Sequence, residues 1–368
     1  MAPLNNNRRD FLQKASLASL AFIGPGRTAW SQSETAFRRI TTEEAFIIPE
    51  ITAAIHELMA TGAADEPGYT TFYNRIIGTP FAGIWDRLAD LEGERLDAMD
   101  AAGIDMQVLS LTSPGVQAFG AEQATELARL ANDRAAEIVE KHPTRFAALA
   151  TLAPQDIEGA ALELERAVGT LGLHGIVINS HTKGEFLDNQ KFWPMLESAE
   201  AAGAPVYLHP RTPPAGMLDP FTEYPLEGAT WGFHMESSLH AVRMMLGGVF
   251  DQFPNLTVIL GHMGEGVPFW LDRLDSTLRR FYQSPNWIAQ RMPSEYFLDN
   301  FVITTSGMNS PPTLNLCMEV LGADRIMFAV DYPYGINEPL VKMIEDAPLS
   351  SSDRAKIFHR TAERVFGI

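Results

Sequence analysis

The feature that most limits the fold of this chain is a rhythm. Eight short apolar runs, many rich in β-branched residues, are each separated from the next by a longer segment. The runs are RRITTE (38–43), MQVLSL (106–111), RFAALATL (145–152), GIVINS (175–180), PVYLHP (205–210), LTVILGH (256–262), FVITTSG (301–307) and RIMFAVD (325–331). Several are almost continuously apolar, as strands buried on both faces are, and strands that alternate with helices pair in parallel. Between them, AEQATELARLANDRAAEIVEKHP (121–143) carries Leu127, Leu130, Ala131 and Ile138 near one helical stripe and ends at Pro143. IEGAALELERAVGTLG and FWPMLESAEAAG have the same character, and each closes on a glycine. Eight such units predict an α/β fold, a (β/α)8 TIM barrel with its site at the C-terminal ends of the strands. An open doubly wound sheet is the alternative. It normally carries a glycine-rich phosphate turn after its first strand, where this chain has EEAFIIPE.

With 368 residues, 46% of them hydrophobic, the chain can bury one large core. Two stretches exceed ordinary loop length, 47–83 after the first strand and 211–232 after the fifth. A formal charge of −18 argues against a nucleic-acid partner, which requires a basic footprint. Cys317 is the single cysteine, so neither an internal disulfide nor a thiolate metal cluster can form. The N-terminus has the paired Arg8 and Arg9, then Phe11 and Leu12, a mildly apolar run over 15–24, and small residues around Trp30. This pattern resembles a twin-arginine export signal. Residues 1–31 are therefore expected to be a signal peptide and 32–368 one catalytic barrel domain. Its location would be periplasmic or otherwise extracytoplasmic, or cytoplasmic if the signal does not function. The run is too short to cross a bilayer, which takes about 20 residues, so no stable membrane anchor is expected.

Active sites of such barrels gather at the carboxyl ends of the strands. By the runs above, strand one ends at Glu43, strand five at His209, strand six at His262 and strand eight at Asp331. Strand four ends at Asn179 and Ser180, strand seven at Thr304, Thr305 and Ser306. Each has an ordinary structural reading: a hydrogen-bonded core histidine for His209, a helix cap for His262 or Asp331, a solvated turn for Glu43. Four at equivalent ends of different strands point instead to one shared site. Glu43, His209 and Asp331 would supply two carboxylates and one imidazole, leaving positions for water and substrate. Such an oxygen-rich set suits one Mn²⁺ or Mg²⁺ ion over Zn²⁺, although zinc also accepts carboxylates. Glu44, one residue on, is expected to point to the opposite side of the strand, away from the metal.

TEEAF, LTSPGVQ, INSHTKG, YLHPR, GFHMESSLHAVRMM, VILGHMGE and VDYPY follow one another along the chain. Together they resemble the metal-dependent decarboxylases of the amidohydrolase superfamily. The nearest are the γ-resorcylate, 2,3-dihydroxybenzoate and especially 5-carboxyvanillate decarboxylases, with aminocarboxymuconate-semialdehyde decarboxylase more distant. The resemblance runs from about Ile40 to the C-terminus. It implies that Glu43, His209 and Asp331 are metal ligands, that His262 and Glu265 orient a catalytic Asp331, and that Arg273 and Tyr334 bind substrate. Hydrolytic members usually begin with a His-x-His pair. Ala45 stands at its last position here, as in the dihydroxybenzoate and carboxyvanillate enzymes. One position departs: Pro80 aligns with an arginine that contacts the second carboxylate of carboxyvanillate, and Arg75 lies five residues earlier.

The resemblance implies a carboxy-lyase that acts on a small ortho-hydroxybenzoate and works as a homo-oligomer, a dimer or tetramer. Direct loss of CO₂ would leave a poorly stabilised aryl carbanion, so the ring carbon must be protonated first. Asp331 is the candidate acid, and its pKa must be raised from about 3.9 to hold a proton at neutral pH. Two rival readings use the same barrel. One is a metal-dependent hydrolase of an amide, ester or lactone, with Asp331 deprotonating water. The other is a binding protein without chemistry.

Overall fold

The computed structural model describes residues 37–62, 66–76, 83–280 and 288–368. The export-signal reading of 1–31 and the Pro80 position fall outside them. Nine strand segments occur in chain order: β1 (Ile40–Phe46), β2 (Met106–Leu111), β3 (Phe146–Ala148), β4 (Ala150–Thr151), β5 (Ile176–Ile178), β6 (Val206–Leu208), β7 (Val258–Leu260), β8 (Phe301–Thr304) and β9 (Ile326–Met327). All pairings are parallel and join neighbours in sequence, β1 to β3 in one run and β4 to β9 in another. β3 and β4 are two halves of one stave interrupted at Leu149. Leu149 N–H still donates to Leu109 O (2.8 Å), and Ala150 N–H donates to Gly175 O (2.8 Å). The eight predicted strands are thus present, as the parallel staves of a TIM-barrel fold.

Side chains alternate between two apolar layers, as the period of a strand requires. Ile40, Met106, Val108, Ala147, Leu149, Val177, Tyr207, Ile259, Val302 and Met327 form the inner cluster. Leu109, Ala148, Ile176, Leu208, Leu260, Ile303 and Phe328 belong to the outer one, which the helices cover. The helix Ala121–Lys141 buries Leu127, Ala131 and Ile138, the stripe expected for it. Burying one such aliphatic side chain contributes about 1.5–3 kcal/mol, so each stave is fastened from both faces.

Three expectations need correction. Strand one does not end at Glu43; β1 runs on to Phe46, and Glu43 lies inside it. The stretch 47–83 is not simply a loop, since it contains the helices Pro49–Thr61 and Pro67–Ile76. The stretch 211–232 likewise contains the helix Ala215–Thr222. These two insertions pack together. Arg75 Nε lies 2.7 Å from Glu227 Oε1, its Nη2 donates to Thr222 O (2.9 Å), and the Phe72 and Phe233 rings stand 5.7 Å apart. A Cβ on Gly68 would come within 2.6 Å of Pro213 O, so glycine permits this close approach. No described helix is long and apolar enough to cross a membrane.

Candidate functional site

An irregularity in β1 decides which of its two adjacent glutamates enters the barrel. Ile40 pairs with Met106 and Thr41 with Gln107, but the next partners are Glu44 and Leu109. β1 therefore holds one residue more than β2 over this span, a β-bulge. An extra residue reverses which face every later side chain takes. Ile40 faces inward with Met106, and strict alternation would send Glu44 inward too. The bulge sends Glu43 inward instead and sets Glu44 opposite Leu109 of the outer layer.

Inside the barrel, one oxygen of Glu43 is saturated and the other is bare. Oε2 accepts hydrogen bonds from the hydroxyls of Tyr207, Ser306 and Thr304, the last at 2.9 Å. Oε1 is buried with no hydrogen-bond partner among the described residues. It faces His209 Nε2 at 3.6 Å and His262 Nε2 at 3.7 Å. Burial alone would raise the pKa of Glu43, but His262, His209 and the Ser306 and Tyr207 hydroxyls outweigh it, so the carboxyl is held below its ordinary range. A Cβ on Gly261 would come within 2.8 Å of the carboxylate, so this wall of the site admits only glycine without a shift.

His209 follows the last residue of β6. Its Nδ1–H donates to Pro210 O at 2.8 Å, which leaves the Nε2 lone pair turned to the site. One ligand atom each from Glu43, His209 and Asp331 lies within 4.8 Å of the others. A buried anionic oxygen without a donor, beside an imidazole lone pair and a second carboxylate, is short of a cation. One divalent metal ion fits this donor set.

His262 and Asp331 sit on backbone that is not strand. His262, Met263 and Glu265 all have positive φ (48°, 56° and 52°), as does Asp331 (70°). The folded loop GHMGEG brings Glu265 back so that its Oε1 accepts from His262 Nδ1 at 2.8 Å. His262 N–H donates to Ser306 Oγ at 3.1 Å, which ties the loop to the hydroxyls behind Glu43. His262 Nε2 is then 3.7 Å from Asp331 Oδ2. Burial would discharge His262, but Glu43, Glu265 and Asp331 together raise its pKa well above the ordinary value. Burial raises the pKa of Asp331; His262 opposes this and Glu43 adds to it.

Tyr334, 42% exposed, stands at the mouth with its hydroxyl 2.8 Å from Thr112 Oγ1. Arg273 makes a different contact. It is exposed on the helix Val267–Leu278, its guanidinium carbon 6.0 Å from the centre of the Trp270 ring. The structure therefore brings Glu43, His209, His262, Glu265 and Asp331 together.

Reading the sequence placed Thr304 and Ser306 at a strand end without joining them to Glu43, and missed Tyr207. The spacing could have found them. Tyr207 precedes His209 by two and Thr304 precedes Ser306 by two, so each pair shares a face. A second buried network holds the GFHMESSLHAVRMM segment. Ser180 O–H donates to Glu236 Oε1 (2.7 Å) and lies 2.9 Å from His240 Nδ1, while Leu187 N–H donates to His240 Nε2 (2.8 Å). Since Nε2 accepts, Nδ1 carries the proton. Burial holds His240 down to about 3 and pushes Glu236 up to about 8. This network fixes the helix Gly232–Leu246 to the chain that follows β5.

Known proteins share both the sequence and the shape. The chain is 39% identical over 288 residues to a γ-resorcylate decarboxylase of Polaromonas sp., spanning 76% of this chain and 88% of that protein. The crystal structure of 5-carboxyvanillate decarboxylase from Sphingomonas paucimobilis superposes with a TM-score of 0.86 at 43% identity, covering 90% of this chain and 100% of that one. The 5-carboxyvanillate decarboxylase of Novosphingobium aromaticivorans, complexed with manganese and 4-hydroxy-3-methoxy-5-nitrobenzoic acid, superposes at 0.87 with 37% identity, covering 91% and 97%. Residues 51–368 match the Amidohydrolase family, and the chain belongs to it.

Proposed function

We propose that the protein is a metal-dependent, non-oxidative decarboxylase of an ortho-hydroxylated aromatic acid. The observation that carries this is the placement of Asp331, which shares the Glu43–His209 ligand group and also faces the His262–Glu265 pair. When bound, the divalent ion draws negative charge off the carboxylate and phenolic oxygens of the substrate. Mn²⁺ suits the donor set and is the ion bound in the relative from Novosphingobium.

The side chains supply the rest. Asp331 is placed to deliver a proton to the ring carbon that bears the carboxylate. The bond to the carboxyl carbon then breaks, its electron pair restores the aromatic ring, and CO₂ leaves. Glu265 fixes the tilt of the His262 ring through Nδ1, which aims Nε2 at Asp331. His262 thereby orients Asp331 and is placed to return a proton to it. Tyr334 and Arg273 are assigned to the substrate on the family resemblance. Arg75 is engaged by Glu227, which argues against it as the partner of a second substrate carboxylate.

The test is CO₂ release by the Mn²⁺-loaded protein from 5-carboxyvanillate, 2,6-dihydroxybenzoate and 2,3-dihydroxybenzoate. Release from one of the three is the expected result. No release from any, with hydrolysis of an ester or lactone panel, would overturn the reading.

We further infer, from sequence alone, that residues 1–31 direct twin-arginine export. Lysines at both Arg8 and Arg9 should then retain the protein in the cytoplasm. The family resemblance supports a homo-oligomer, to be measured by analytical ultracentrifugation.

A further inference from the structure

Glu44 is as deeply buried as Glu43, yet it has no place in the Glu43–His209–Asp331 group. It lies on the outer side of the barrel wall, at the one junction where no strand ladder joins neighbouring staves among the described residues. β9 ends at Met327, and Asp331 follows on irregular, left-handed backbone with no β1 ladder beside it. Side chains and single backbone bonds close this seam. Thr42 Oγ1–H donates to Phe328 O (3.1 Å), and Ala45 N–H donates to Tyr332 O (2.7 Å). Between them, Val330 N–H donates to Glu44 Oε1 (3.1 Å) and Tyr332 N–H donates to Glu44 Oε2 (3.0 Å).

Those two N–H groups belong to the residues on either side of Asp331. One carboxylate therefore spans Asp331, one oxygen on the Ala329–Val330 peptide and the other on the Asp331–Tyr332 peptide. Anchoring the chain on both sides of Asp331 restrains its left-handed turn, and with it where the carboxyl sits relative to Glu43, His209 and His262. Glu44 is itself held from behind. Arg95 Nη1 donates to Gln107 Oε1 (3.2 Å), Nη2 donates to Ala45 O (2.6 Å), and its guanidinium carbon lies 4.8 Å from the centre of the Tyr332 ring. Gln107 Nε2 reaches Glu44 Oε2 at 3.5 Å. Buried polar groups are retained where each is hydrogen-bonded, and here the network ends on the backbone amides either side of a site residue.

We propose that Glu44 is a positioning residue for Asp331, acting through the backbone N–H groups of its two neighbours, Val330 and Tyr332. This rests on Asp331 as a metal ligand and as the acid of the decarboxylation. Glutamine at this position offers one acceptor oxygen and one NH₂, so it can satisfy only one of the two N–H groups. In the Mn²⁺-loaded protein, Glu44→Gln is expected to lower kcat for CO₂ release at least about tenfold, because a displacement of about 1 Å at a reacting group can cost 10²-fold. KM should stay within about threefold, as expected when an interaction made mainly in the transition state is lost. Mn²⁺ affinity, read by electron paramagnetic resonance without substrate, should weaken by about tenfold or more, the usual cost of losing an outer-shell partner. Thr42→Val is the control, because it removes a seam hydrogen bond that touches neither the Val330 nor the Tyr332 amide. It should lower thermal stability while leaving kcat and Mn²⁺ affinity near the starting values.

Unchanged kcat and unchanged Mn²⁺ affinity in folded Glu44→Gln would overturn the proposal. So would losses that track thermal stability equally in both variants, which would make Glu44 merely structural. Should Glu44→Gln not fold, amide hydrogen exchange of the unaltered protein decides. The Val330 and Tyr332 amides are expected to be among the slowest within 328–335, and rapid exchange at both would refute the grip. A protein that binds Mn²⁺ but releases CO₂ from none of the three acids would defeat the decarboxylase reading alone, since Mn²⁺ affinity and amide exchange still judge Glu44.

Discussion

Replacing Tyr207 by phenylalanine deletes one hydroxyl and keeps the ring that packs in the inner cluster. That hydroxyl is one of three donors to Glu43 Oε2, the others being Thr304 at 2.9 Å and Ser306. The three donors favour the ionised carboxylate and fix its plane, so that Oε1 points between His209 and His262. A hydrogen bond to a buried charged group is worth about 1.5–3 kcal/mol. At about 1.4 kcal/mol per factor of ten, full loss would weaken a metal ion that needs the ionised, oriented carboxylate by about 10- to 100-fold. Two donors remain, so the lower end of that range is expected. The measurement is Mn²⁺ binding to Tyr207→Phe by electron paramagnetic resonance titration, with circular dichroism to show that the barrel is intact. Affinity within twofold of the unaltered protein would refute the idea that the hydroxyls set the metal site through Glu43.

Asp331→Asn keeps the size of the side chain but cannot deliver the proton. CO₂ release should fall by at least about 10²-fold, the low end for losing a general acid, while the aromatic acid still binds in a fluorescence titration. A near-normal rate would remove Asp331 from its role. His262→Asn breaks the bond to Glu265 and the contact with Asp331 but leaves Glu43, His209 and Asp331 in place. It should lower turnover with less effect on metal content, measured by inductively coupled plasma analysis; equal losses of both would refute the division of labour. Glu236 carries a folded-state pKa of about 8, above its ordinary 4.5, because burial disfavours its charge. The native state then binds the proton more tightly than the unfolded chain, so stability falls as pH rises from about 4.5 to 8, by up to about 1.4 kcal/mol per pH unit. Urea unfolding midpoints should decline over that window, and Glu236→Gln, which still accepts from Ser180, should flatten the decline.

Much of this was legible in the residues because it depends on local pattern. Continuous apolar runs of strand length, spaced by helical stripes, leave few folds besides a barrel. In a barrel, the residues that leave the carboxyl ends of the staves must converge. His209, His262 and Asp331 could be gathered on that reasoning from one linear sequence. Neither the helices inside 47–83 and 211–232 nor their mutual packing could be seen, since Arg75 and Glu227 meet only after the whole chain has folded. Glu43 was chosen over Glu44 correctly, but by a strand end placed at Glu43, whereas β1 runs on to Phe46 and the reason lies in its pairing. Two adjacent glutamates on a strand face opposite ways, and which one faces in depends on the register with β2. A single extra residue between Thr41 and Glu44 turns Glu43 to the axis and Glu44 to the seam. Alternation is a property of the strand alone and was written in the sequence. Parity across the bulge is a property of the pairing, and only the assembled barrel decided it.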